Sequence, residues 1–135
     1  MTTFILKVDK LIRDKIPENL AKEKIFVSSR TMEKDEWIAR LKDKLIEEAK
    51  EVAEAKTPQE FKEELADVLE VLSTLMGACH IEEGQIEQLR EAKRLCKGGF
   101  EKKIYSSHLE IPTHHPKLSY YQERADRYPP LNKAP

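Results

Sequence analysis

What this 135-residue chain lacks narrows its function before any motif is considered. No stretch approaches the roughly 20 apolar residues that span a bilayer, and the N-terminus carries no apolar run behind a basic start. Neither a membrane partner nor a secretory leader is expected, and a cytoplasmic location follows. Only two cysteines occur, Cys79 and Cys96, in no C-x-x-C pair and no Cys/His ligand set, so redox and zinc chemistry find no support. Both are expected to be small buried residues. Charge of one sign is also missing: 24 basic residues against 25 acidic leave a net charge of -1, so no nucleic-acid polymer is an expected partner. No internal repeat is present.

What remains reads as one helical domain and a tail. Residues 2–9 are ambiguous, and Pro17 suits the first turn of a short helix within KLIRDKIPENLAKE. KIFVSSRTM has the β-branched and aromatic content of a strand over about 24–30, with Thr31 or Asp35 available to start the next helix. Apolar residues at spacings of three and four predict a long helix over about 33–56, carrying Trp37, Ile38, Leu41, Leu45, Ala49 and Val52 on its buried face. Thr57, Pro58 and Glu60 form a capping-box sequence that stops one helix and starts another. That second helix, about 58–79, is expected to bury Phe61, Leu65, Val68, Leu69, Leu72, Leu75 and Met76. A third, about 82–97, ends at Gly98-Gly99, where left-handed backbone is easy. FEKKIYSS is strand-like again and a candidate partner for 24–30.

Composition shifts near residue 106. From there on the chain holds five of its seven prolines, three of its four histidines and three of its four tyrosines. The expected organisation is therefore a domain over 1–106 and an extended C-terminal tail over 107–135. The expected fold is all-α, an antiparallel helical bundle with a minor two-stranded β element.

The informative residues are acids where apolar side chains belong. At about 100° per residue, with Leu41 as zero, the apolar stripe of the first long helix covers roughly -40° to +80°. Glu48 falls near -20°, inside it, and Glu51 near -80°, at its edge, while Glu47 points near 240°, toward water. On the second helix, with Phe61 as zero, Glu64 lies near 300° between Val71 and Leu75, and Asp67 lies near 240° at the margin. One acid inside and one at the edge, three residues apart, occurs on both helices. A single ionised carboxylate buried without a partner costs several kcal/mol, so four converging ones require protons, arginines or a metal ion. Oxygen-only ligands suit Mg²⁺, with Mn²⁺ as a substitute. The competing explanation is a solvated acidic face, common in a chain so rich in Glu and Lys.

Glu48-x-x-Glu51, twelve residues, then Glu64-x-x-Asp67 resembles the E-x-x-E…E-x-x-D signature of the MazG-like all-α nucleoside triphosphate pyrophosphohydrolases. KLIRDKIPE (Lys10 to Glu18), EELADVLEVL (Glu63 to Leu72) and KGGFEKKIY (Lys97 to Tyr105) resemble the phosphoribosyl-ATP-pyrophosphohydrolase-like, house-cleaning subgroup. The resemblance covers about residues 7–105; the tail has no counterpart in it. It implies a Mg²⁺-dependent enzyme that cleaves the α,β-phosphoanhydride of a nucleotide to a monophosphate and pyrophosphate, and it implies a homodimer or homotetramer. Glu48, Glu51, Glu64 and Asp67 are the expected metal ligands, with Glu48 or Glu47 as general base. Arg13, Lys15 and Lys97 are the expected phosphate-binding residues. The alternatives for the cations are structural: an Arg13–Asp14 ion pair, and Lys97 at a helix C-terminus. Trp37 is read as a core residue before a base-stacking one, and the histidines have no assigned role. Two further functions remain open, hydrolysis of phosphoribosyl-ATP at the same site and a non-catalytic helical module whose tail binds a protein.

Overall fold

The computed structural model describes residues 2–131; residue 1 and residues 132–135, the ends of the two expected segments, lie outside the described residues. The helices are α1 (Ile16–Ala21), α2 (Lys34–Glu54), α3 (Pro58–Ala78), α4 (Glu83–Lys97) and α5 (Leu118–Gln122). The chain falls into two compact units, Met1–Lys97 and Gly98–Pro135. Among the described residues no helix is long and apolar enough to cross a membrane.

The first unit is built on the α2–α3 hairpin. Thr57 caps α3 by accepting a hydrogen bond from the Glu60 backbone N–H at 3.1 Å, and Glu60 Oε2 accepts one from the Lys56 N–H at 3.0 Å. Pro58 occupies the first turn, where its missing N–H costs nothing. This closed turn sends α3 back along α2, and among the described residues the two make the one extensive helix–helix contact. Leu41, Val71 and Ala78 form the core between them, with Leu11, Trp37, Ile38, Leu45 and Leu75 packed around it. Directly after α4, Gly98 has φ +82°, the left-handed geometry expected there.

Several expectations are corrected. The minor β element is absent: no described residue is in a strand. Lys24 and Lys103 adopt left-handed backbone (φ 63° and 59°), which interrupts extended geometry in both strand-like segments. Phe26 is 89% exposed and Tyr105 93%, so neither segment has the half-covered face on which strand preference depends. Neither Thr31 nor Asp35 caps α2; Glu33 stands at that position and makes no side-chain cap bond. Cys79 and Cys96 are exposed thiols, not buried residues. On α3 the side against α2 carries Val71 and Ala78, while Phe61, Leu65 and Leu69 lie exposed. That helix is apolar on two sides, and α2 covers one. Nor does α4 pack extensively on α3.

In the second unit the expected extended tail instead contains α5. Tyr121 stacks edge-to-face on Tyr120 (5.1 Å) and on Tyr128 (5.0 Å), and the Arg124 guanidinium sits 3.9 Å from the Tyr120 ring centre. Such contacts give a short aromatic segment local order that composition alone does not reveal.

Candidate active site

The misplaced acids meet in the hairpin. Glu48 is 6% exposed, and Glu51 and Glu64 are half-buried. Glu48, Glu51 and Glu64 each place one carboxylate oxygen within 4.8 Å of the others. The Oε2 atoms of Glu48 and Glu64 are buried and have no hydrogen-bond partner. Buried polar atoms almost always find one, and an orphaned carboxylate oxygen costs free energy. Three like charges in this geometry cannot all stay ionised without compensation. Glu64 is pushed up to about 7, first by the hydrogen bond it shares with Glu51, then by burial and by the charges of Glu51, Asp67 and Glu48. Glu48 is raised as well, mainly by burial, then by Glu51.

Cations flank this centre. Arg13 Nη2 lies 2.7 Å from Asp67 Oδ1, so the partner of Arg13 is Asp67 and not the adjacent Asp14. Lys10 Nζ reaches Glu47 Oε1 at 2.9 Å, and Lys44 Nζ lies 3.4 Å from Glu47 Oε2 and 3.5 Å from Glu48 Oε1. Glu47, expected to face water, is therefore half-covered and paired on both oxygens. Its pKa falls below the usual carboxylate range, chiefly through the Lys10 hydrogen bond, and Lys10 is raised in return by Glu47.

Of the sequence-predicted set, the structure brings together Glu48, Glu51 and Glu64. It places Asp67 beside them on α3, engaged by Arg13, and Glu47 next to them under Lys10 and Lys44. Lys15 is an exposed residue at the α1 N-cap position, and Lys97 is exposed at the end of α4; neither forms an ion pair with these acids. Sequence reasoning missed Lys10 and Lys44. Lys44 was findable, since it precedes Glu47 by three and Glu48 by four, the spacings that meet on a helix. Lys10 lies 37 positions from its partner, and no local pattern announces it.

An oxygen-only donor set with two orphaned oxygens fits a hard divalent cation, and the surrounding lysines and arginine fit an anionic, oxygen-rich ligand. Together they place an acidic cluster and flanking cations on one all-α hairpin. Residues 7–92 match the family model of phosphoribosyl-ATP pyrophosphohydrolase, and the chain belongs to that family. Its members are pyrophosphohydrolases, hydrolases acting on phosphoanhydride bonds, and the chain is a nucleotide pyrophosphohydrolase in that general sense. No curated protein and no solved structure matches the chain.

Proposed function

We propose that this protein is a Mg²⁺-dependent nucleoside triphosphate pyrophosphohydrolase, cleaving between the α and β phosphorus atoms to give a nucleoside monophosphate and pyrophosphate, with house-cleaning of non-standard nucleotides as its use in the cytoplasm. The observation that carries this reading is the convergence of Glu48, Glu51 and Glu64 with two buried, unpartnered oxygens. Glu51 and Glu64, with Glu48 where it does not serve as base, would hold the cation, and Asp67 stands beside them on α3 as a further carboxylate. Bound Mg²⁺, or Mn²⁺ in its place, supplies Lewis-acid polarisation of the phosphoryl oxygens and lowers the pKa of bound water.

The chain's own groups do the rest. A triphosphate brings negative charge to a site already rich in it, and Arg13, Lys10 and Lys44 offset that charge, with Lys15 and Lys97 assisting from exposed positions. The Arg13 guanidinium suits a phosphate better than a point charge does, because its donors form a planar fork. Glu47 and Glu48 are the two acids placed to handle the attacking water. Glu47, held ionised by two lysines, accepts a hydrogen bond but binds a proton weakly. Glu48 takes up a proton more readily and would act as the general base in place of binding the cation.

The family match favours a second reading, phosphoribosyl-ATP as substrate of the same site. A Mg²⁺-dependent assay for pyrophosphate release, over standard and modified nucleoside triphosphates and phosphoribosyl-ATP, separates the two. Release from triphosphates supports the first reading, release from phosphoribosyl-ATP alone supports the second, and release from none leaves a non-catalytic module. The same proposal includes a homodimer or homotetramer. Phe61, Leu65 and Leu69 recur every four residues on an uncovered face of α3, and Leu89 and Leu95 are exposed on α4. A second copy presenting the same faces would bury them.

A further inference from the structure

A groove of about 960 Å³ runs between the N-terminal segment, the loop before α2 and the first turns of α2, and Arg13, Arg30, Glu36, Trp37 and Arg40 are among its lining residues. Its volume falls within the range of small-molecule sites. A smaller cavity of about 40 Å³ continues along α2 and shares Lys10 and Arg40 with the groove before reaching Lys44 and Glu47. Along α2, Trp37 and Glu48 are separated by three helical turns, about 16 Å, and lie on nearly the same face. The groove meets the acidic hairpin at Arg13, which lines it and pairs with Asp67, while the smaller cavity ends at Lys44 and Glu47.

Trp37 itself is half-buried. It packs against the core of the hairpin and also lines the groove. Beside it, Arg30 clamps Glu36 in a bidentate pair, Nη1 to Oε1 at 2.7 Å and Nη2 to Oε2 at 2.6 Å. The pair ties the groove-lining loop to α2 and leaves unused lone pairs on the carboxylate and unused protons on the guanidinium. An aromatic platform next to a fixed donor–acceptor pair is suited to a flat heterocycle with polar edges.

We infer that this groove is the nucleobase subsite: the base stacks on Trp37, its polar edge meets Arg30 and Glu36, and the polyphosphate passes Arg13 to the carboxylates. The inference rests on the proposed pyrophosphohydrolase reading for the polyphosphate end, but base binding is measured separately from hydrolysis. Trp37 is the sole tryptophan of the chain, so any change in indole emission arises at this one side chain.

The test titrates the full chain, in Mg²⁺, with the non-hydrolysable α,β-methylene analogue of ATP and with inorganic tripolyphosphate, which carries the phosphates without a base. The analogue is expected to change Trp37 emission saturably, and tripolyphosphate is expected to leave it unchanged. By calorimetry, Trp37→Ala weakens analogue binding about 5- to 100-fold and Trp37→Phe retains most of it. Since Trp37 also contacts the core, the partly exposed pair supplies a second variant: Arg30→Gln weakens the analogue several-fold while leaving tripolyphosphate affinity unchanged. Analogue binding without an emission change overturns the subsite, as does an equal change with tripolyphosphate, or no analogue binding. Pyrophosphate release with a silent Trp37 removes the subsite and keeps the enzyme; a responsive Trp37 without pyrophosphate release does the reverse.

Discussion

Glu64 concentrates the chemistry of this site in one side chain. It stands where an apolar residue would complete the face of α3 against α2, and its Oε2 is buried without a partner. A carboxyl whose folded pKa lies above its unfolded value binds its proton more tightly in the fold. The stabilisation from Glu64 is therefore full below about 4.5 and is lost as the pH rises through about 7. Without divalent cation, the stability difference between Glu64→Gln and the parent should grow in favour of the variant from pH 5 to pH 8, as followed by denaturant unfolding. A difference that is flat with pH, or of opposite slope, contradicts the repulsion. Cation binding at these carboxylates would displace that proton, so calorimetry of Mg²⁺ binding near pH 7 in buffers of different ionisation enthalpy should show proton release that falls in Glu64→Gln. Helical periodicity made this residue legible, because an acid inside an apolar stripe is visible in one dimension. Lys10 was not legible, because its contact with Glu47 exists only once the N-terminal segment lies against α2.

At the scale of elements, the 55–57 turn sets the register in which Glu48 and Glu51 face Glu64. Thr57→Ala removes the cap and should lower stability by about 1 kcal/mol, with Thr57→Ser restoring most of it, as measured by chemical denaturation. An unchanged midpoint would mean that helix packing alone fixes the turn. Helix boundaries were readable because capping box, proline and glycine are local signals: α3 and α4 begin and end within a residue of their expected limits. The strands were not, because strand preference at Phe26 or Ile104 is realised only against a pairing partner, and both side chains remain exposed. The apolar stripe of α3 was read as a single core face for the same reason: periodicity shows which residues are apolar but not which neighbour covers them.

In the first unit, the exposed stripe of Phe61, Leu65 and Leu69 on α3 and the exposed Leu89 and Leu95 on α4 leave apolar surface that the unit itself does not cover. Leu69→Lys should shift the sedimentation profile toward smaller species, and a parent that is already monomeric at micromolar concentration would remove the oligomer from the account. The segment after residue 106 holds its own tyrosine cluster, and its deletion should leave pyrophosphate release within about twofold of the parent. The central claim is that carboxylates of the hairpin drive phosphoanhydride cleavage, and Mg²⁺-dependent pyrophosphate release by the parent and by Glu64→Gln, over the same nucleotide panel, tests it most directly. The account predicts stoichiometric nucleoside monophosphate and pyrophosphate from the parent and a loss of at least about 100-fold in kcat/KM in the variant. Equal rates in the two proteins, or no pyrophosphate from any nucleotide at micromolar enzyme, would contradict it.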